Sequence, residues 1–256
     1  MTQNLSPEAR VAEIYTTLSQ TWGRQHWWPA RSRFEVIVGA YLTQNTSWAN
    51  VELALRKLRK ARVLTVAGIR NTPVAKLERL VRSSGYFRQK AGRLKTFVNF
   101  LDGNCDGSLT KMFRRPTYEL RKALLSLNGV GPETADSILL YAGQHPIFVV
   151  DTYTRRIAAR HAILPEKSDY EEYRMLFEAG LDSLQPCDHN SDSTGGAAHS
   201  PSRMSLSARP PAAQVFNEMH GLLVGVGKNY CLKSAPRCEH CPLRPLLPQV
   251  SVNPGL

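Results

Sequence analysis

LNGVGPETA, Leu127 to Ala135, sets two glycines around one valine, follows them with a proline, and then places an acid at Glu133. Gly129 and Gly131 permit backbone angles closed to other residues. Pro132 fits the first turn of a helix, where its missing N–H costs nothing. The stretch therefore predicts a tight turn between two helices, one ending at Leu127 and the next running from Pro132 to about Tyr141. The exposed N–H groups of such a turn, with the dipole of the second helix, favour an anion. An ordinary αα-turn fits the same residues, so the rest of the chain has to decide.

Around this turn the helical period dominates. Leu120, Ala123, Leu124 and Leu127 form one apolar stripe, and Leu94, Phe97, Val98 and Leu101 another. Val51, Ala54, Leu55 and Leu58 form a third, and Leu77, Leu80 and Val81 a fourth. Thr72 reads as an N-cap with Pro73 at the first helical position, and Gly85 as a stop. Phe34 to Leu42 is apolar nearly all round and reads as a buried central helix, although its β-branched content leaves a strand open. Ile147 to Val150 is strand-like but too short to build a sheet. The chain reads as all-α.

Lys and Arg number 33 against 21 Asp and Glu, a formal charge of +12 on 256 residues. That excess suits a polyanion, although a solvated basic surface or a membrane surface would carry it too. No stretch resembles a signal peptide or a membrane span, so a cytoplasmic, nucleoid-associated protein is expected. Residues 186–212 hold no Phe, Tyr or Trp, and Leu206 is their only branched aliphatic. Such a segment buries too little to offset its ordering entropy, and it is expected to be a disordered insertion.

Downstream of the turn stands VVDTYTRRIAAR, Val149 to Arg160, in which Asp151 follows an apolar run and opens a basic helix. Alone, Asp151 reads as an N-cap. Together, the glycine hairpin, the apolar run and V-D-T resemble the helix–hairpin–helix DNA glycosylases of the endonuclease III superfamily. YLTQNTSW (Tyr41 to Trp48), GYFRQKAGRLKTF (Gly85 to Phe97) and GKNYCLKSAPRCEHC (Gly227 to Cys241) match further segments of that family. The resemblance covers nearly the whole chain outside the insertion.

The resemblance implies two helical lobes with a DNA-binding cleft. Residues 31–145 would form a six-helix barrel ending in the hairpin. Residues 1–30 with 146–256 would form the second lobe. Duplex DNA would bind a monomer, with the damaged nucleotide flipped out of the stack. Gly129, Val130 and Gly131 would hold phosphate through backbone N–H groups, Gln44 would fill the vacated space, and Asp151 would face the sugar. A carboxylate there stabilises the positive charge that builds on deoxyribose as the base leaves, and orients or deprotonates water.

Bifunctional family members carry a lysine that aligns with Glu133 and forms a Schiff base with the sugar. An acid cannot form an imine, and in a first helical turn it complements the dipole. The resemblance thus implies a monofunctional glycosylase. Lys90 is the alternative amine. Trp27, Trp28 and Trp48 surround the expected base pocket, and electron-rich rings favour cationic bases, so the 3-methyladenine glycosylase branch and an alkylated purine are expected. Two other readings stand beside this one. A bifunctional glycosylase and lyase acting on oxidised pyrimidines is opposed by Glu133. A noncatalytic damage-binding protein would need neither Asp151 nor Gln44.

The family's cluster motif is C-x6-C-x2-C-x5-C. Cys231, Cys238 and Cys241 fit its first three positions, and Leu247 stands at the fourth. Three thiolates with a ligand from elsewhere, Cys187 or the less usual His240, would hold a [4Fe–4S] cluster. A loop that keeps three cysteines and no cluster is the other reading. The loop would bring Lys228, Lys233 and Arg237 to DNA.

Overall fold

Twelve α-helices and no strand are found among the described residues, which are 5–188 and 199–248 of a computed structural model. The chain divides into two compact units. One comprises Trp28–Pro146 with Ser202–Ser207, and is called the hairpin unit here. The terminal unit comprises Met1–Trp27, Ile147–Pro201 and Ala208–Leu256.

The hairpin unit is built round α2 (Arg33–Leu42), which buries every residue from Phe34 to Leu42. The run that sequence leaves open between helix and strand is thus a helix. Ser32 caps it, its hydroxyl accepting from the Glu35 amide at 3.1 Å. A helix enclosed on all sides must satisfy its one acid, and Arg59 of α3 (Trp48–Lys60) does so, reaching the Glu35 carboxylate at 2.7 Å. Leu58, Leu77, Phe97 and Leu101 are fully buried, the last two on α6 (Phe87–Cys105). Each such side chain contributes roughly 1.5–3 kcal/mol.

The start of α5 (Val74–Val81) differs from expectation. Thr72 is extended and closes α4 (Val66–Asn71), its hydroxyl donating to the Gly68 carbonyl at 2.7 Å. The ring of Pro73 disfavours helical angles at the residue before it, so Pro73 itself is the N-cap. Gly85, at φ +68°, ends the following turn as expected.

In the terminal unit, α1 (Pro7–Trp22) packs on α11 (Tyr170–Leu181). A side chain at Gly180 would lie 2.7 Å from the Glu8 carbonyl, so glycine sets this approach. The helix α10 (Thr152–Arg160) packs on α12 (Pro211–Asn229). Ile147 to Val150 are buried and extended but belong to no sheet. Side chains supply the partners a sheet would provide: Glu178 accepts from the Phe148 amide at 2.9 Å and Tyr170 from the Val150 amide at 3.3 Å.

Of the segment 186–212, expected to be a disordered insertion, residues 186–188 and 199–212 are described, and several of them are held in place. Cys187 is buried, with its amide donating to Glu218 at 2.9 Å. Met204 is 6 % exposed, and its amide donates to the Ala30 carbonyl at 3.1 Å. Gln144 donates to the Ser207 hydroxyl at 2.8 Å, and α12 already begins at Pro211. Hydrogen bonds and one methionine hold what apolar composition alone would not. Residues 189–198 lie outside the described ones.

Candidate active site

The hairpin joins α8 (Thr117–Leu125) to α9 (Pro132–Ser137). Gly129 adopts φ +78°, which favours glycine, and the Arg93 guanidinium lies against it where a Cβ would stand. Gly131 is extended, with nothing within 4 Å of where a Cβ would stand, and Pro132 opens α9. Val130 turns its side chain inward, 6 % exposed. Arg121 clamps the two helices, reaching the fully buried Asp136 carboxylate at 2.7 and 3.0 Å. The second helix departs from expectation: after Ser137 it widens into a π-helical stretch, Ile138–Gly143. Such insertions recur at functional sites.

Gln44 follows α2 and lies on this hairpin. Its Nε2 donates to the Gly129 carbonyl and to the Thr134 hydroxyl, both at 2.9 Å. Its Oε1 accepts from Arg93 at 2.7 Å. Glu133 is exposed in the first turn of α9. Lys90, the alternative amine, is fully buried on α6, and its Nζ donates to the carbonyls of Leu42 at 2.9 Å and Ser84 at 2.5 Å. Burial, reinforced by the Arg93 charge, pushes its pKa down to about 8.

The three tryptophans fall in two units. Trp28 meets Trp48 edge-on at 5.0 Å, and Tyr141 of the π-helical stretch at 5.2 Å, all in the hairpin unit. The Trp48 indole N–H is buried without a hydrogen-bond partner among the described residues. Trp27 belongs to the terminal unit and packs on His220 at 5.7 Å and His199 at 5.5 Å.

Asp151 is the N-cap of α10. Its Oδ1 accepts from the Thr154 amide at 2.8 Å and the Thr154 hydroxyl at 3.0 Å. Its Oδ2 stands 3.8 Å from Nε2 of His220, on α12. The His220 Nδ1 lies 3.1 Å from the Val149 carbonyl. A carbonyl only accepts, so Nδ1 carries the proton, and in the neutral ring Nε2 is an acceptor. The negative charge of Asp151, after burial, raises the pKa of the neighbouring Tyr153. One carboxylate thus caps a helix with one oxygen and turns the other toward an imidazole.

Cys231, Cys238 and Cys241 line one recess of about 310 Å³, open space at its mouth included, with Arg160, Leu243 and Leu247 among its walls. Burial first, then charge at Cys231 and Cys238, pushes the Cys241 thiol up. Arg160 donates to the Cys231 sulfur at 3.2 Å and to the Leu232 carbonyl at 2.8 Å, and Arg156 to the Cys231 carbonyl at 2.7 Å. Neither proposed fourth ligand is here. The Cys187 thiol donates to the Ser19 carbonyl, and His240 is exposed. Among the described residues no group of three or more His, Cys, Asp or Glu is arranged to hold a metal ion. Three thiols with an apolar Leu247 leave a four-thiolate cluster one ligand short among the described residues.

Arg93, Thr134, Tyr141 and His220 escape the sequence reading. Each sits on a helix whose period explains it as packing, and only tertiary proximity distinguishes it.

The sequence profile of the HhH-GPD superfamily of base excision DNA repair proteins matches residues 38–182, which include Gln44, the hairpin and Asp151. The chain belongs to the HhH-GPD superfamily. This HhH-GPD protein is 39% identical, over 91% of its length and 94% of the relative's, to a Methanocaldococcus jannaschii protein assigned as a DNA repair glycosylase. Its fold matches the H. pylori 3-methyladenine DNA glycosylase MagIII bound to 1,N6-ethenoadenine, with a TM-score of 0.68 and 27% identity, covering 88% of this chain and 98% of that one. A trapped endonuclease III–DNA covalent intermediate shares the fold at TM-score 0.69 and 21% identity, covering 94% and 95%. The HhH-GPD chain is a DNA glycosylase of base excision repair, all-helical and of the endonuclease III type. No helix among the described residues is long and apolar enough to cross a membrane.

Proposed function

We propose that this protein is a monofunctional DNA glycosylase that releases alkylated purines from duplex DNA by hydrolysis, acting as a monomer on a flipped nucleotide. The observation that carries the monofunctional reading is Glu133 at the family's lysine position, with the alternative amine of Lys90 buried and bonded to two carbonyls. The hairpin amides of Gly129 and Gly131 hold a phosphate, whereas the Val130 amide is spent within the turn, donating to the Leu127 carbonyl at 3.1 Å. Gln44 fills the space the flipped nucleotide leaves. The C1′–N bond then breaks, its electron pair leaving with the base, and water adds to C1′. Asp151 stabilises the cationic sugar through Oδ2 and draws the proton from the attacking water. A single acid suffices when alkylation has already made the leaving base cationic.

Half-buried Trp48, backed edge-on by buried Trp28, supplies the electron-rich surface against which a cationic purine stacks. Support for this substrate class comes also from the likeness to MagIII, a 3-methyladenine DNA glycosylase. The test is a panel of duplexes, each with one defined lesion, scored for free base. Release of 3-methyladenine or a related N-alkylpurine, with oxidised pyrimidines left in place, is expected. Release of oxidised pyrimidines alone removes the substrate assignment.

A further inference from the structure

We propose that Arg93 is a phosphodiester-binding residue that also stores Gln44 on the hairpin until DNA arrives. The proposal rests on the reading of the hairpin as a phosphate site and of Gln44 as the side chain that enters the stack.

Three observations carry it. First, Arg93 is half-buried and pairs with no carboxylate among the described residues. Other arginines of the same unit do: Arg59 reaches Glu35, Arg70 reaches Asp102, and Arg121 reaches Asp136. The charge felt by Lys90 is that of Arg93 itself, so two cations adjoin here with no acid between them among the described residues. Second, the guanidinium lies directly on Gly129, where even a methyl group would collide with Nε. An anion that reaches the hairpin at this glycine meets a cation. Third, Arg93 spends a donor on Gln44 Oε1, at 2.7 Å, while Gln44 Nε2 is spent on Gly129 and Thr134.

These contacts couple two events. A phosphate offers Arg93 charge-assisted hydrogen bonds, about twice as strong as the neutral bond to an amide oxygen. When the guanidinium turns to phosphate, Gln44 loses its donor, and its hold on the hairpin weakens on the side that phosphate occupies. Differential contacts in the two states are what such a switch requires. Gripping the backbone and freeing the wedge become one step.

The test uses undamaged duplex DNA, whose binding does not depend on base excision. Affinity is measured against salt for wild type, Arg93→Met, Arg93→Lys and Gln44→Ala, with circular dichroism melting to show that each variant is folded. Arg93→Met should lower the slope of log affinity against log salt by about 0.9, one phosphate contact. Arg93→Lys should keep the slope. Gln44→Ala should bind undamaged DNA more tightly, because Arg93 no longer has a partner to give up, while 2-aminopurine beside a lesion should report less unstacking. An unchanged slope in folded Arg93→Met overturns the phosphate assignment. Weaker binding by Gln44→Ala overturns the storage. Base release, scored separately, keeps either failure distinct from a failure of the glycosylase reading.

Discussion

His220 Nε2 stands 3.8 Å from Asp151 Oδ2, and the Val149 carbonyl fixes which nitrogen of that ring bears the proton. The imidazole therefore stands beside the carboxylate oxygen that is proposed to draw a proton from water. Deleting that ring nitrogen should cost about one hydrogen bond to a charged group, roughly tenfold or somewhat more in the rate of base release. His220→Phe, which keeps the ring packed on Trp27, should therefore slow single-turnover release with little change in duplex affinity. Full activity in this variant would mean that His220 only packs.

The clamp between Arg121 and Asp136 holds the two hairpin helices together. Asp136 is fully buried, so Asp136→Ala removes two charge-assisted hydrogen bonds from Arg121 and should cost roughly 1.5–3 kcal/mol. Replacing both at once, Arg121→Met with Asp136→Leu, should cost less than the single change. Urea unfolding checks both. A loss near the few tenths typical of surface changes would show that the pair is dispensable.

Lys90 makes a prediction about pH. Its pKa is pushed down to about 8 in the folded chain, against about 10.4 in an unfolded one. Between these values the unfolded state binds more protons, so stability rises with pH. The unfolding free energy of wild type minus that of Lys90→Met should stay flat below about pH 8 and climb toward pH 10.4. A flat or falling difference across that window contradicts a buried, cationic Lys90.

The cysteine loop is held by polypeptide. Arg156 and Arg160 bond its carbonyls, Leu243 is fully buried in it, and Leu247 stands where a fourth thiolate belongs. Protein purified anaerobically should be colourless and iron-poor, and Arg160→Met should lower its melting temperature more than Cys238→Ser. A brown protein with about four irons per chain would contradict this reading of the loop.

Much of this is legible in residues that act locally. Gly129 and Pro132 dictate their turn, and Asp151 before Thr152 dictates a cap, because each operates within a few residues of itself. Trp27 and Trp28 are neighbours in the chain but belong to different units, one with His220 and one with Trp48. Arg93 and Gln44 lie 49 residues apart, and their bond has no periodic trace. Met204 looks disposable in a polar segment, yet burial of one side chain and one amide bond to Ala30 tie it down. Composition measures the average of a segment, whereas anchoring needs only one residue.

Asp151 and water, with no amine, are proposed to break the glycosidic bond. The most direct measurement adds borohydride during reaction with N-alkylpurine duplex, and scores free base and covalent adduct together. Wild type should release base and trap no adduct, and Asp151→Asn should bind the duplex yet release base roughly 10² to 10³ times more slowly. An adduct trapped by wild type, or full base release by Asp151→Asn, would contradict this chemistry.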